Sequence, residues 1–278
     1  MKQFTKKIFI SQEQAGFKKS AAPVSLDAYI LDSISIGDRK RPGVIICPGG
    51  GYGHLSDREG EPVAMQFLAM GYHAFILYYS LTPDGFPYPQ MELAMAVAIV
   101  RSLASEYHID SEKIVVAGFS AGGHLACSLG AFWNQSFLYG PLGLNPKDIR
   151  PDGLILAYPV ITAGPSCHLG SFLNLLGTRA EDEAMRRLVS LEHQVGPHTP
   201  KTFIWHTSTD DAVPVKNSYL LADALTANGV NVEMHIYPIG CHGLSLANKE
   251  VSNENGKYIV PSCQSWISLV KTWLENLS

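Results

Sequence analysis

The chain has 278 residues, 46% of them hydrophobic, and a net charge of −4 from 21 Lys and Arg against 25 Asp and Glu. Such a length suffices for one large core, and α/β folds routinely exceed the rough rule of ~150 residues per domain, so a single domain over residues 1–278 is expected. Basic residues adjoin only in short runs, such as the pairs Lys6-Lys7 and Lys18-Lys19, and the net charge is negative, which argues against the electrostatic footprint of a nucleic-acid or anionic-membrane binder.

In chain order, the stretch Val24 to Ile36 alternates as early strands do, and it is expected to run antiparallel to the segment near Ile8. A strand at 44–47, a helix at about 61–70, a strand at about 72–79, a helix at about 90–107 and a strand at 113–118 follow. A helix after Ser120, strands at 153–158 and 202–206, a helix at about 215–228, a strand at 231–237 and a closing helix at about 264–277 complete the pattern. Met91 to Ala98 is apolar nearly all round, as a helix packed on a sheet should be. Strands alternating with helices predict an α/β fold, with a mostly parallel sheet flanked by helices on both faces and antiparallel strands at the N-terminal edge. Residues 162–200 break the alternation with Gly, Pro and a charged helix at Glu181–Leu188. They read as a lid or cap over a pocket, or as a plain surface excursion.

Two glycine-rich loops follow buried-strand signals. Ile114 to Ala117 runs into Gly118-Phe119-Ser120-Ala121-Gly122-Gly123, with Leu125, Ala126 and Leu129 after it at helical spacing. That is the form of a nucleophile elbow, a strained strand-to-helix turn that pushes a serine hydroxyl out of the sheet. Val44 to Cys47 opens into Pro48-Gly49-Gly50-Gly51-Tyr52, whose N–H groups can face a reacting oxygen with no side chain in the way. A phosphate loop would want Gly-Lys-Ser/Thr or a third spaced glycine opening a helix, and neither is present.

An acid and a base should follow the serine. The strand Thr202 to His206 leads into Thr207-Ser208-Thr209-Asp210-Asp211-Ala212-Val213-Pro214, and either aspartate can orient a histidine. Asp210, three residues before Val213-Pro214, is the preferred acid, which leaves Asp211 as a turn or capping residue. Of ten histidines, His242 lies on a glycine-flanked loop after the strand Val232 to Tyr237 and is the expected base. His235 sits within that strand, His124 packs on the elbow helix, and His206 stands beside the acid. His54 follows the first glycine loop and is expected to line the pocket. His73, His108, His168, His193 and His198 read as structural or solvated. Tyr52 and Tyr79 join His54 as substrate-binding candidates, since aromatic faces suit a sugar ring or an aryl acyl group. Tyr78, Phe86 and Tyr88 belong to the same group, and packing is the equal alternative for all these aromatics.

These motifs, with Tyr158-Pro159-Val160-Ile161, Trp205-His206 and His242-Gly243, make the chain resemble α/β-hydrolases of the carboxylesterase branch. Specifically, it resembles acetyl-xylan-esterase-like and feruloyl-esterase-like proteins, and the likeness runs from about Val44 to the C-terminus. It implies Ser120, Asp210 and His242 as a catalytic triad, with Gly50, Gly51 and Ala121 as the oxyanion hole. Pro48 departs from the related hormone-sensitive-lipase pattern, which has a histidine before its glycines. The expected activity is hydrolysis of short-chain acyl esters, such as acetyl groups on sugars or xylo-oligosaccharides. The alternatives are a serine peptidase of the prolyl-oligopeptidase type or a non-catalytic hydrolase-fold binding protein. Neither cofactor nor metal is required by this chemistry, and the expected partner is a small-molecule ester, with a homo-oligomer left open. The five scattered cysteines (47, 127, 167, 241 and 263) read as free thiols. With no signal-peptide-like stretch in Met1 to Ile10 and no membrane span, a cytoplasmic location is expected.

Overall fold

The computed structural model describes residues 1–16, 22–32 and 39–277. Lys18, Lys19 and the 33–36 end of the first expected strand lie outside them. Eight strands form one sheet: β1 (Lys2–Ile8), β2 (Val24–Ile30), β3 (Arg41–Cys47), β4 (His73–Tyr78), β5 (Ile109–Phe119), β6 (Gly153–Ala157), β7 (Thr202–Thr207) and β8 (Val232–Tyr237). Their order is β1-β2-β4-β3-β5-β6-β7-β8. As the alternation predicted, β1 pairs antiparallel with β2, Ile8 opposite Val24, and β2 antiparallel with β4. Every pairing from β4 through β3 to β8 is parallel.

The central strands are apolar on both faces because helices cover both, as a parallel sheet requires. Successive side chains in a strand point to opposite faces. Accordingly Val44 and Ile46 of β3 pack with Val115 and Ala117 of β5 in one cluster, while Ile45 and Val116 belong to the other. Each such side chain, fully removed from water, contributes about 1.5–3 kcal/mol before conformational entropy is charged against it.

Some boundaries differ from the expected ones for local reasons. β5 begins at Ile109 rather than at 113, because Ile109 pairs with Arg41 across a register shift that spans Pro42. Proline has no N–H to donate to a ladder, so a shift at that point costs little. The helix expected over 90–107 runs Tyr88–Ser102, with Pro89 tolerated in its first turn, and a separate turn at Ala104–Tyr107 follows. The closing helix is Trp266–Glu275, preceded by a 3₁₀ turn at Pro261–Ser265. Within 162–200 the charged helix spans Glu183–Leu188, and a second helix, Leu169–Leu176, went unforeseen. It buries Phe172, Leu175 and Leu176 on one side and exposes Leu169 and Leu173 on the other.

Among the described residues, no helix is long and apolar enough to cross a membrane.

Candidate active site

The glycine loop, Ser120, Asp210 and His242 all follow the C-terminal ends of strands, β3, β5, β7 and β8 respectively. In open α/β sheets this is the edge where ligand sites form. Ser120 joins β5 to the elbow helix Ala121–Phe132 with φ 53° and ψ −117°, a conformation costly for any residue with a β-carbon. Its N–H donates to Ala157 O at 3.0 Å, and its carbonyl accepts from His124 N and Val160 N. The flanking glycines are obligatory on packing grounds: a Cβ on Gly118 would lie 2.1 Å from Gly122 O, and one on Gly122 would lie 2.0 Å from Cys47 O.

Ser120 Oγ lies 2.7 Å from His242 Nε2, and His242 Nδ1 lies 2.7 Å from Asp210 Oδ2. A carboxylate can only accept, so Nδ1 carries the proton, and Nε2 accepts from the serine hydroxyl. Asp210 is enclosed by donors. Its Oδ1 accepts from Ala212 N and Val213 N at 2.9 and 2.8 Å, and its Oδ2 also receives His206 Nε2–H at 3.1 Å. His206, with no exposed surface, is fixed in that tautomer because its Nε2 faces two acceptors, Asp210 Oδ2 and Val213 O at 3.0 Å, and its Nδ1 then accepts from Ser218 Oγ at 2.8 Å. Burial opposes ionisation of Asp210. The hydrogen bonds from His206, His242 and Ala212 outweigh it, holding the carboxyl well below the usual carboxylate range. Asp211 takes a different task, accepting the backbone N–H of His242 at 3.0 Å. The Tyr158 ring meets the His242 ring edge-on at 5.1 Å between centroids.

Every carbonyl of the glycine loop from Pro48 to Tyr52 is hydrogen-bonded, and so is Gly49 N–H. Tyr79 O–H donates to Pro48 O at 2.6 Å, and Gly49 N–H donates to Glu59 Oε2 at 2.7 Å. Gly50 O accepts from Gly53 N and His54 N, Gly51 O from Asn174 Nδ2 at 2.8 Å, and Tyr52 O from Thr82 N. Gly50 holds φ 127°, and a Cβ there would sit 2.1 Å from His54 O. Among the described residues, the N–H groups of Gly50, Gly51 and Ala121 have no protein acceptor. Below the loop, Tyr52 O–H donates to His124 Nδ1 at 2.9 Å, and His124 Nε2–H donates to Val189 O at 2.8 Å. Burial pushes the His124 pKa down to about 4, so it stays neutral.

A cavity of about 510 Å³ opens over Ser120 and His242, walled by Gly50, Gly51, His54, Arg58, His168 and Asn174 among others. His54 thus stands where it was expected. Tyr52 and Tyr79 do not: both are buried, at 1% and 2% exposure, with their hydroxyls supporting the loop from beneath, and neither lines the cavity. Tyr78, Phe86 and Tyr88 do not line it either. His168, read as structural or solvated, does, bonded through Nδ1 to Ser171 Oγ at 2.8 Å. Burial and the nearby His242 lower its pKa. Glu59 was missed altogether, because Asp57-Arg58-Glu59-Gly60-Glu61 looks like an ordinary charged turn. Asn174 lies on the unforeseen helix and offered no signal.

A serine on a strand-to-helix elbow, hydrogen-bonded to a histidine and aspartate from later strand ends of a mostly parallel sheet, defines an α/β-hydrolase. The BD-FAE family model matches residues 29–149, and the prolyl oligopeptidase family model matches residues 172–258. The chain is 35% identical to the acetyl ester-xyloside bifunctional hydrolase of Caldicellulosiruptor lactoaceticus, superposing with a TM-score of 0.82 over 98% of this chain and 96% of that one. It is 41% identical over 219 residues to endo-1,4-beta-xylanase B of Butyrivibrio fibrisolvens, and 30% identical over 208 residues to an acetylxylan esterase of Xylanibacter ruminicola. These matches cover 77% and 73% of the chain but only 34% and 41% of those two proteins. The chain belongs to the carboxylesterase branch of the α/β-hydrolases.

Proposed function

We propose that this chain is a serine carboxylesterase that removes short acyl groups, acetyl above all, from hydroxyls of xylose-based sugars. The observation that carries the reading is the unbroken hydrogen-bonded line from Ser120 through His242 to Asp210, beside three free N–H groups. Ser120 attacks the ester carbonyl as its proton passes to His242 Nε2, and Asp210 stabilises the resulting imidazolium. The N–H groups of Gly50, Gly51 and Ala121 hold the tetrahedral oxyanion, each worth on the order of 10²–10³ in rate. His242 then protonates the departing alcohol, and water repeats the sequence on the acyl-serine. One hydrolase domain carries this chemistry, with residues 162–200 as a cap that contributes His168 and Asn174 to the cavity wall.

Two lines support the sugar ester. The names of two relatives join acetyl esters to xylan or xyloside. The cavity wall also mixes imidazole, amide and guanidinium groups, which suits a polyhydroxylated alcohol better than an acyl chain. Five cysteines without a disulfide suit a reducing compartment such as the cytoplasm.

The deciding measurement is kcat/KM for nitrophenyl esters from two to twelve carbons, with acetylated xylose alongside. A maximum at two to four carbons is expected, graded because a methylene changes discrimination by only about 1–3 kcal/mol. A maximum at eight carbons or more would reject the short-chain assignment. The prolyl oligopeptidase match over 172–258 gives a peptidase a specific claim. Turnover of an aminoacyl arylamide faster than nitrophenyl acetate would favour it.

A further inference from the structure

We infer that Glu59 is a positioning residue that holds the glycine loop and the histidine loop in register with each other. The inference rests on the assignment of Ser120, His242 and Asp210 given above. The Glu59 side chain is buried, with 2% of the residue exposed, and each carboxylate oxygen accepts from a different half of the site. Oε2 takes Gly49 N–H at 2.7 Å, and Oε1 takes Tyr158 O–H at 2.7 Å. The Tyr158 hydroxyl in turn accepts Ser245 N–H at 2.8 Å, three residues beyond His242, while its ring packs edge-on against the His242 ring.

The neighbouring residue closes the same grip from outside. Arg58 Nη1 donates to Gly243 O at 2.6 Å, and Arg58 O accepts from Ser245 Oγ at 2.5 Å. Arg58 therefore binds the stretch that follows His242 directly, Glu59 reaches it through Tyr158, and Glu59 also binds the glycine loop. On that side the fit is close: a Cβ on Gly49 would lie 2.8 Å from Glu59 Oε2 and 2.9 Å from Ser120 Cβ. Gly49 is wedged between the carboxylate and the serine.

The chemistry of the pairing explains why a carboxylate stands there. The Gly49 N–H drawn onto Oε2 belongs to the Pro48–Gly49 peptide, whose carbonyl is held by Tyr79 O–H. That peptide is thus fixed on both sides immediately before the Gly49–Gly50 peptide, whose carbonyl accepts from Ser56 N and whose N–H belongs to Gly50. Bonds to an ionised acceptor are shorter and roughly twice as strong as neutral ones. Two fixed donors facing one side chain need an acceptor at both ends. A glutamine supplies an acceptor at one end only and sets an NH₂ against Gly49 N–H or against the Tyr158 hydroxyl. The backbone donors of the oxyanion hole work only if they are aimed before the substrate arrives, and Glu59 aims them relative to His242.

The test compares wild type with Glu59→Gln, Tyr158→Phe and the double variant. The readouts are nitrophenyl acetate turnover and inhibition by phenylboronic acid, which forms a tetrahedral adduct on an active serine. Glu59→Gln should lower kcat about 10²-fold and weaken the boronate by a similar factor, with KM within about three-fold. Tyr158→Phe keeps the ring beside His242 and should cost about ten-fold. The double variant should fall no further than Glu59→Gln alone, because the two groups share one network. A Glu59→Gln kcat within about three-fold of wild type overturns the inference, as does a loss confined to KM with boronate affinity unchanged. Should Glu59→Gln fail to fold, Tyr158→Phe decides, and unchanged turnover there overturns it. Fluorophosphonate labelling of wild type separates the two readings. Labelled Ser120 with undiminished Glu59→Gln sinks the Glu59 role alone, and an unlabelled Ser120 sinks both.

Discussion

Ser120 is held by main chain: by its own φ of 53°, by the bond from its N–H to Ala157 O, and by glycines whose replacements would overlap backbone oxygens. Asp210 and His242, on loops after β7 and β8, rely on side chains as well, with His206, Asp211 and Tyr158 as supports beside the Ala212 and Val213 N–H groups. The difference bears on how each half fails. Main-chain geometry is lost together with the fold, whereas a side-chain network weakens one bond at a time. Removing the serine hydroxyl should therefore leave the elbow standing, while changes at the acid end should grade from severe to slight.

The largest expected effect is at the main-chain end. Ser120→Ala should lower kcat by at least about 10⁴-fold with a nearly unchanged Tm, since the strain lies in φ and ψ and the hydroxyl adds little packing. Turnover of a nitrophenyl ester and a thermal melt check both halves. Substantial residual activity in a clean preparation would remove Ser120 from the mechanism.

Next is Asp210→Asn, which should cost about 10³–10⁴ in kcat, because an amide favours the wrong His242 tautomer. It also carries a stability signature. The Asp210 pKa is depressed in the folded state, so its contribution is fully present above the ordinary carboxylate pKa near ~4 and is lost as pH falls below that. The Tm gap between wild type and Asp210→Asn should be widest near neutral pH and narrow below about pH 4.

A third effect concerns the support beneath the glycine loop. The His124 pKa falls from 6.5 to about 4, so the unfolded chain binds a proton there that the folded chain refuses. Stability should then drop as pH falls from 6.5 towards 4, by about 3 kcal/mol from this group. His73, also held near 4 by burial, acts in the same window. His124→Gln should flatten the dependence of Tm on pH between 6.5 and 4 without abolishing it. An unchanged slope would show that His124 is not held neutral.

The smallest effect separates the two aspartates. Asp211→Asn keeps an acceptor for the His242 N–H and should cost less than about ten-fold in kcat, close to the worth of one neutral hydrogen bond. A penalty exceeding that of Asp210→Asn would reverse their roles.

The same contrast explains what the sequence revealed. Ser120 was legible because a main-chain device leaves a local signature, glycines two residues either side of a serine after a β-branched run. The mostly parallel sheet followed from the alternation of strand and helix. Asp210 and His242 needed their place after strand ends as well, since aspartates and histidines abound. Glu59 and Asn174 left no signature, because their backbone partners, Gly49 N and Gly51 O, are 10 and 123 residues away and could belong to any residue, while the other partner of Glu59, the Tyr158 hydroxyl, is 99 residues away. Tyr52 and Tyr79 misled for a related reason. A tyrosine beside an active-site loop can face the substrate or brace the loop from behind, and the sequence around it is the same in both cases.

The bond from Asn174 Nδ2 to Gly51 O ties the helix Leu169–Leu176 to the glycine loop. For protein engineering this makes the stretch that breaks the strand–helix alternation a poor exchange cassette. A chimera that takes residues 162–200 from another esterase imports a new pocket wall, and it also removes a strut from the machinery unless an amide is restored at position 174. Loop grafts intended to change substrate preference should therefore be judged on kcat as well as on selectivity.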